Sequence, residues 1–258
     1  KYTPTAGWSE EKRLSKSLTV NAHPVILERD GYLHVVWSQL DGGTRDICYR
    51  RYTPGVGWDS VITRVNLDYS GSNPSITIDG MGNIHVVWLA WFSDEDREIA
   101  YRRWTPDGGW DSQVTYVTEQ DSLMVICPAI GCDGLGDVHV VWEASGALYE
   151  RVRDAESGWH DITRLTPEGI GCEKPHIRSD ICGNLHLVWA CSDPYCCKVY
   201  YMKWDSGIGA GADRRKDFHS QGGIRLEVKP NPFSGTTVIK LKGDFSESRA
   251  RVRVNIYD

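Results

Sequence analysis

Four histidines recur in one setting: "GYLHVVW" at 31–37, "GNIHVVW" at 82–88, "GDVHVVW" at 136–142 and "GNLHLVW" at 183–189. Imidazole moves protons near neutral pH and binds metals readily. His34, His85, His139 and His186 could therefore be bases, ligands or a repeated architectural part. Other residues could hold a ligand: Arg45 and Arg97 at matching positions, Asp94 and Asp96 in the acidic stretch "SDEDRE", and the tryptophans Trp91 and Trp104. Arginine suits an anionic group, paired carboxylates suit a cation or sugar hydroxyls, and an indole suits the face of a sugar ring. Eight cysteines are present, and Cys191 with Cys196 or Cys197 is the best local disulfide candidate, because "CSDPYCC" contains an Asp-Pro turn. The paired Cys-x-x-Cys spacing of a zinc site is absent, so no metal and no cofactor is expected.

The elements that carry these residues follow from spacing. Trp37, Trp88, Trp142 and Trp189 end the histidine motif at intervals of 51, 54 and 47 residues. A second set, Trp8, Trp58, Trp110 and Trp159, ends a glycine turn: "AGW", "VGW", "GGW" and "SGW". One unit reads as "NPSITIDG", "NIHVVWLAWF", "REIAYRRWTP" and "GWDSQVTYVTE", four short strands bounded by Gly, Asp, Asn and Pro. Stacked meanders of that size describe a β-propeller. The expected fold is all-β: about four blades of roughly 50-residue, four-stranded repeats, then a partial immunoglobulin-like segment. The repeats occupy 1–206, as a partial repeat 1–19 and then 20–70, 71–121, 122–168 and 169–206; a Gly-rich linker spans 207–222 and an incomplete module 223–258.

Side chains alternate along a strand, so Ile84, Val86 and Trp88 share one face and His85 and Val87 the other. Both faces of a blade pack on neighbours, which makes the four histidines semi-buried rings bonded between blades. Each lies on a different blade rather than around one ion. The eight periodic tryptophans are structural anchors, each burying about 150–250 Å². That is roughly 4–6 kcal/mol at ~25 cal/mol/Å², as an upper estimate. The last repeat stops after "KVYYMKW", and residues 7–17 could supply its outer strand and close a ring of four. The alternative is a fragment of a larger propeller.

"GNIHVVW…EIAYRR…TPDGGW" resembles the repeats of sialidase-like, Asp-box-containing β-propellers, especially non-catalytic ones of bacterial secreted proteins. Thr105, Asp107 and Gly109 match the Asp-box, but Trp110 comes two positions early. "PNPFSGTT" at 230–237 and "IYD" at 256–258 resemble the start of the immunoglobulin-like modules of type IX secretion sorting and hook-capping-type domains. These resemblances imply a secreted or cell-surface protein.

A net charge of −6 gives no electrostatic case for nucleic acid, and no apolar run is long enough for membrane insertion. The arginines recur with the repeat, whereas a catalytic residue should break it. The expectation is therefore a non-catalytic binding or assembly module, not an enzyme, with a glycan or protein partner and self-assembly through strand edges as a further possibility. The alternatives are a structural subunit of an extracellular filament or coat, and a sialidase-like glycoside hydrolase. "DGLGD" at 133–137 reads as a hairpin turn rather than a metal loop.

Overall fold

The computed structural model describes residues 2–3, 7–16, 18–93, 96–118, 124–167, 171–193, 196–206, 225–228 and 239–242. It is all-β, with four antiparallel meanders arranged as the blades of a propeller. The first sheet has an inner strand Val20–Arg29, a middle strand Tyr32–Asp41 and a third strand Thr44–Thr53. The second has Ser70–Ile78, Ile84–Trp91 and Arg97–Thr105. The third has Val125–Cys132, Val138–Ala144 and Ala147–Asp154, and the fourth Cys172–Ser179, Leu185–Asp193 and Cys196–Trp204. In the first three sheets two short pieces, such as Gly57–Trp58 and Thr63–Arg64, complete the outer edge. The C-terminal halves of all four inner strands line one cavity, through Leu27, Ile76, Ile130 and Ile177 among others, which marks the propeller axis.

Alternation governs the core. Ile84, Val86 and Trp88 pack on the first sheet with Val36, Ile47 and Tyr49, while Val87 and Leu89 pack on the third with Val140 and Trp142. A third cluster, with Val141, Leu148, Ile177 and Trp189, joins sheets three and four. Trp37, Trp88, Trp142 and Trp189 are buried, whereas Trp58, Trp110 and Trp159 are half-buried. Trp110 meets Tyr49 of the preceding sheet edge-on at 5.4 Å, and Trp159 meets Tyr101 at 5.1 Å. Trp8 belongs to a short hairpin, Tyr2–Thr3 with Gly7–Trp8, whose register matches the outer hairpins of sheets one to three.

An arginine repeats the sheet-to-sheet link. Arg102 Nη1 donates to the Val65 carbonyl of the preceding sheet at 2.8 Å, and Arg151 Nη1 to that of Val117 at 2.8 Å. Arg50 makes the same bond to the Leu14 carbonyl at 2.9 Å.

The fourth sheet differs from the sequence reading. Residues 7–17 do not add to the strand Cys196–Trp204: Gly7–Trp8 pairs with Tyr2–Thr3 instead, and the fourth sheet has three strands among the described residues. Thr3 and Asp205 occupy the same repeat position, so this hairpin has its own third-strand end, and among the described residues Cys196–Trp204 pairs only with Leu185–Asp193.

The chain divides into Lys1–Ala210 and Gly211–Asp258. In the second unit Arg225–Val228 pairs with Ile239–Lys242. The "PNPFSGTT" and "IYD" motifs lie outside the described residues.

Candidate active site

Three of the four histidines, His85, His139 and His186, follow a turn whose aspartate faces the ring. Asp79 Oδ1 accepts the backbone N–H groups of Met81 and Asn83, both at 2.9 Å, and Asp133 and Asp180 do the same in "DGLGD" and "DICGN". The other oxygen of Asp79 meets His85 Nε2 at 3.2 Å, and that of Asp180 meets His186 Nε2 at 3.0 Å. On the far side Nδ1 meets a tyrosine hydroxyl: His34 with Tyr49 at 2.8 Å, His85 with Tyr101 at 2.7 Å, His186 with Tyr201 at 2.8 Å. Donor and partner share one sheet, so the bonds run within a blade and not between blades. A one-strand diagonal is short enough for the ring to span, while the neighbouring blade supplies apolar packing. Burial, aided by the Arg51 charge, lowers His34 to about 4, and burial lowers His85 as well.

Among the described residues, one Ser–His–Asp grouping is found. His160 Nε2 lies 2.5 Å from Asp154 Oδ2 and 3.1 Å from Ser157 Oγ. One nitrogen serves both neighbours, so no second ring nitrogen relays a proton, as acyl transfer requires. The Asp154 carboxylate holds the "AESG" turn through the backbone N–H groups of Glu156 and Ser157.

The repeat breaks at the opposite end of the axis from the cavity. Each inner strand carries a bulge before a proline: Ala22-His23-Pro24, Ser72-Asn73-Pro74, Ile126-Cys127-Pro128 and Glu173-Lys174-Pro175. The residue ahead of each proline is left-handed, with φ of 52°, 50°, 52° and 53° for His23, Asn73, Cys127 and Lys174. Such a conformation in a non-glycine residue costs on the order of 1–3 kcal/mol. A bulge re-aims side chains, and here one bulge is kept four times while its side chains change.

Sheets three and four place the reactive groups together. Glu143, which follows Trp142 and pairs with Ile126, has one carboxylate oxygen buried without a hydrogen-bond partner. Burial raises its pKa, the Glu173 carboxylate raises it further, and the Lys174 backbone N–H and ammonium oppose them. Lys174 Nζ lies 3.4 Å from Glu173 Oε2. Burial pushes the Cys127 thiol up, reinforced by Glu143 and opposed by Lys174. Two carboxylates, one desolvated and one beside an ammonium, thus lie on adjacent sheets at the bulged end of the inner strands. Such a pair can divide acid and base roles between its members.

The disulfide of this region is Cys172 with Cys191, directly before Glu173. It corrects the pairing of Cys191 with Cys196 or Cys197: Cys172 and Cys191 are cross-strand partners in the ladder, a closer placement than the far side of the Asp-Pro turn. Cys48, Cys127, Cys132 and Cys182 are free thiols.

The other candidate ligand contacts separate. Arg97 lies over the Trp91 ring at 4.2 Å, and Trp91 Nε1 donates to Ser72 Oγ at 3.0 Å, beside the second sheet's bulge. Arg45 sits on the same end of the first sheet, its backbone N–H on Ser70 Oγ. The Asp96 backbone closes the adjacent turn with Phe92 and Ser93, and Asp94 lies outside the described residues. Trp104 is at the other end of its strand, paired with Ile84 and Trp110 and packed into the core beneath Arg51. It does not join Trp91.

Glu143 and Glu173 were not picked out by sequence. Alignment of the four repeats on the bulge proline would have revealed Glu173, where the others carry Ala22, Ser72 and Ile126. Glu143 similarly replaces Ser38, Leu89 and Ala190 after the repeat tryptophan.

No family model matches the chain, and no curated protein is recognisably similar to it. Among solved structures, the endo-arabinase of Bacteroides thetaiotaomicron VPI-5482 is similar over 73% of this chain and 75% of its own, with 16% identity and a TM-score of 0.50. The GH43 endo-arabinanase of Bacillus licheniformis follows over 70% of each chain at 16% identity and a TM-score of 0.48. The α-L-arabinofuranosidase PaAbf62A of Podospora anserina aligns over 77% of this chain and 68% of its own, at 13% identity and 0.49. The likeness to the first of these defines the fold class, a β-propeller. It also corrects the expectation of a non-catalytic binding or assembly module, and with it the filament subunit. The first of these is described as an endo-arabinase, so repetition of the blade is no sign that catalysis is absent. The sialidase-like alternative is closer than a non-catalytic module, but that neighbour is described as an endo-arabinase and not a sialidase.

Proposed function

We propose that this protein is a glycan-cleaving β-propeller hydrolase, with Glu143 as general acid and Glu173 as its carboxylate partner. The observation that carries this reading is the pair itself: two repeat-breaking carboxylates beside the bulges of sheets three and four, close enough for one to raise the other's pKa. Glycosidic cleavage needs such a division, a protonated carboxyl for the leaving oxygen and an ionised one for water or the sugar carbon. Burial shifts Glu143 towards its protonated form, and the Lys174 ammonium lies beside the Glu173 carboxylate. Arg97 stacked on Trp91 offers a flat, hydrogen-bonding wall for a sugar at the same end. The hydrolase neighbours support the reaction class and suggest pentose polymers as first substrates to try. The Cys172–Cys191 bond supports an oxidising, extracellular setting.

The test is release of reducing ends from arabinan, arabinoxylan and β-mannan by the wild type and by E143Q and E173Q. Activity on one polymer, reduced at least about 100-fold in both variants with the fold retained, is the expected result. Undiminished hydrolysis in either variant, or none on any glycan by the wild type, overturns the assignment.

A further inference from the structure

We propose that the four sheets form an arc that is closed by a fifth sheet of the same repeat, seated between the fourth and the first and ending in the hairpin Tyr2–Trp8.

The two flanks of the arc carry this inference. Ile76, Ile130 and Ile177 stand at one repeat position, two residues after the bulge proline, and face the preceding sheet; they are 1%, 0% and 3% exposed. Ile26 holds that position in the first sheet and is 60% exposed. On the other flank Val36, Val87 and Val141 face the following sheet and are all 0% exposed, whereas Val188 is 39% exposed. Val199, 81% exposed, replaces the fully buried Ile47, Ile99 and Leu148. Tyr201 is 57% exposed, against 6% for Tyr49 and 3% for Tyr101, each of which lies under a tryptophan of the next sheet. Four apolar side chains that three internal interfaces bury are thus bare at the ends. Were the arc a closed ring of four, the Ile26 flank and the Val188 flank would bury each other.

The occupant is identified by what is already docked. Leu14 offers Arg50 the carbonyl that Val65 offers Arg102 and Val117 offers Arg151. In sheets one and two that carbonyl ends the outer edge, just after Thr63–Arg64 and Thr115–Tyr116. Leu14 also packs with Trp37, as the corresponding residues do inside the propeller. The hairpin pairs Tyr2 with Trp8 and Thr3 with Gly7, as Tyr52 pairs with Trp58 and Thr53 with Gly57. Tyr2–Thr3 and the stretch from Gly7 to Leu14 therefore form the outer rim of a sheet placed before the first, and its inner three strands belong in the gap. A groove of about 270 Å³ between this rim and the first sheet, lined by Leu14, Pro24, Val35 and Trp37, opens onto that gap.

Hydroxyl-radical footprinting of the full chain, read by mass spectrometry, tests the flanks. Tyr201 and Ile26 are expected to react at least tenfold faster than Tyr101 and Ile76 in the same molecule. A chain with residues 70–103 duplicated ahead of Tyr2 supplies the three inner strands. Its Tyr201 and Ile26 are expected to fall to the rates of their buried equivalents, with a higher Tm. A second version using residues 20–51 guards against a graft that fails to fold. Protection of both residues in the ungrafted monomer would mean a closed four-sheet ring, and protection that grows with concentration would mean a second copy in the gap. Either result overturns the proposal, as does continued reactivity in two folded grafts.

Discussion

His139 Nδ1 lies 2.8 Å from a carboxylate oxygen of Glu150, at the position where the other three sheets present a tyrosine hydroxyl to the same histidine. Burial disfavours a charged ring here, but Asp133 at 3.8 Å and Glu150 at 2.8 Å outweigh it and raise the pKa to about 9. One blade of the four thus favours the charged ring, and Trp204 lies against it at 5.1 Å.

That difference sets an alkaline limit on stability. A histidine whose folded pKa exceeds its unfolded value of about 6.5 stabilises the fold fully below that value. The contribution is lost as pH rises through about 9. Urea midpoints of the wild type are expected to decline between pH 7 and 9.5. In E150Q that decline should be smaller and shifted to lower pH, and the His139 ring protons followed by NMR should titrate nearer neutrality. An unchanged slope would count against the ion pair.

On the acid side His34 contributes. Its folded pKa is lowered to about 4 by burial and then by Arg51, so the neutral ring is the stable form. The stabilisation is present above about 6.5 and is lost as pH falls from there towards 4, on the order of 3 kcal/mol. His85 acts in the same direction. H34Q is expected to start less stable at pH 7 yet lose less between pH 7 and 4.5, measured by urea unfolding at each pH.

Much of the fold was legible because the repeat writes its own boundaries. The Trp37, Trp88, Trp142 and Trp189 series gave the blade period, and strand alternation placed Ile84, Val86 and Trp88 on one interface. The hydrogen-bond partners of the histidines were not legible, since a bond to Tyr101 depends on the diagonal of a ladder rather than on spacing. The Cys172–Cys191 pair was hidden for the same reason: nineteen residues separate two cysteines that the register sets face to face. The site was missed through attention to what recurs. Asp94, Arg45 and Arg97 drew notice as charge, while Glu173 sits in a short "EKP" whose meaning appears only beside "AHP", "SNP" and "ICP".

Gly71 offers a test of how tightly sheets one and two meet. A Cβ there would lie 2.7 Å from Ile47 Cγ1 and 2.8 Å from Trp88 Cδ1, inside two fully buried side chains. G71A is expected to destabilise the protein by about 1–3 kcal/mol through overpacking. G80A, where a methyl would meet nothing within 4 Å, is the control and should fall within about 0.5 kcal/mol of wild type. Thermal unfolding of the two variants in parallel checks the contrast.

The Cys172–Cys191 bond links the stability of the fourth sheet to the carboxylate that follows it. The bridge closes a loop of 19 residues, which the chain-entropy account values at about 3 kcal/mol. C172A/C191A should therefore unfold at a lower urea midpoint. Glu173 is adjacent to one end of the bridge and pairs with Ala190 immediately before the bulge, where Lys174 and Pro175 have no ladder partner. Without the bridge that strand end is held only by its backbone bonds, so the carboxylate should lose its fixed placement before the sheet itself is lost. On whichever glycan the wild type cleaves, the variant is expected to be slower at temperatures where circular dichroism still reports a fully folded chain. Treating the wild type with a reductant should reproduce the deficit, and reoxidation should reverse it. A variant that is less stable yet equally active would confine the bridge to holding the strands and detach it from the placement of Glu173.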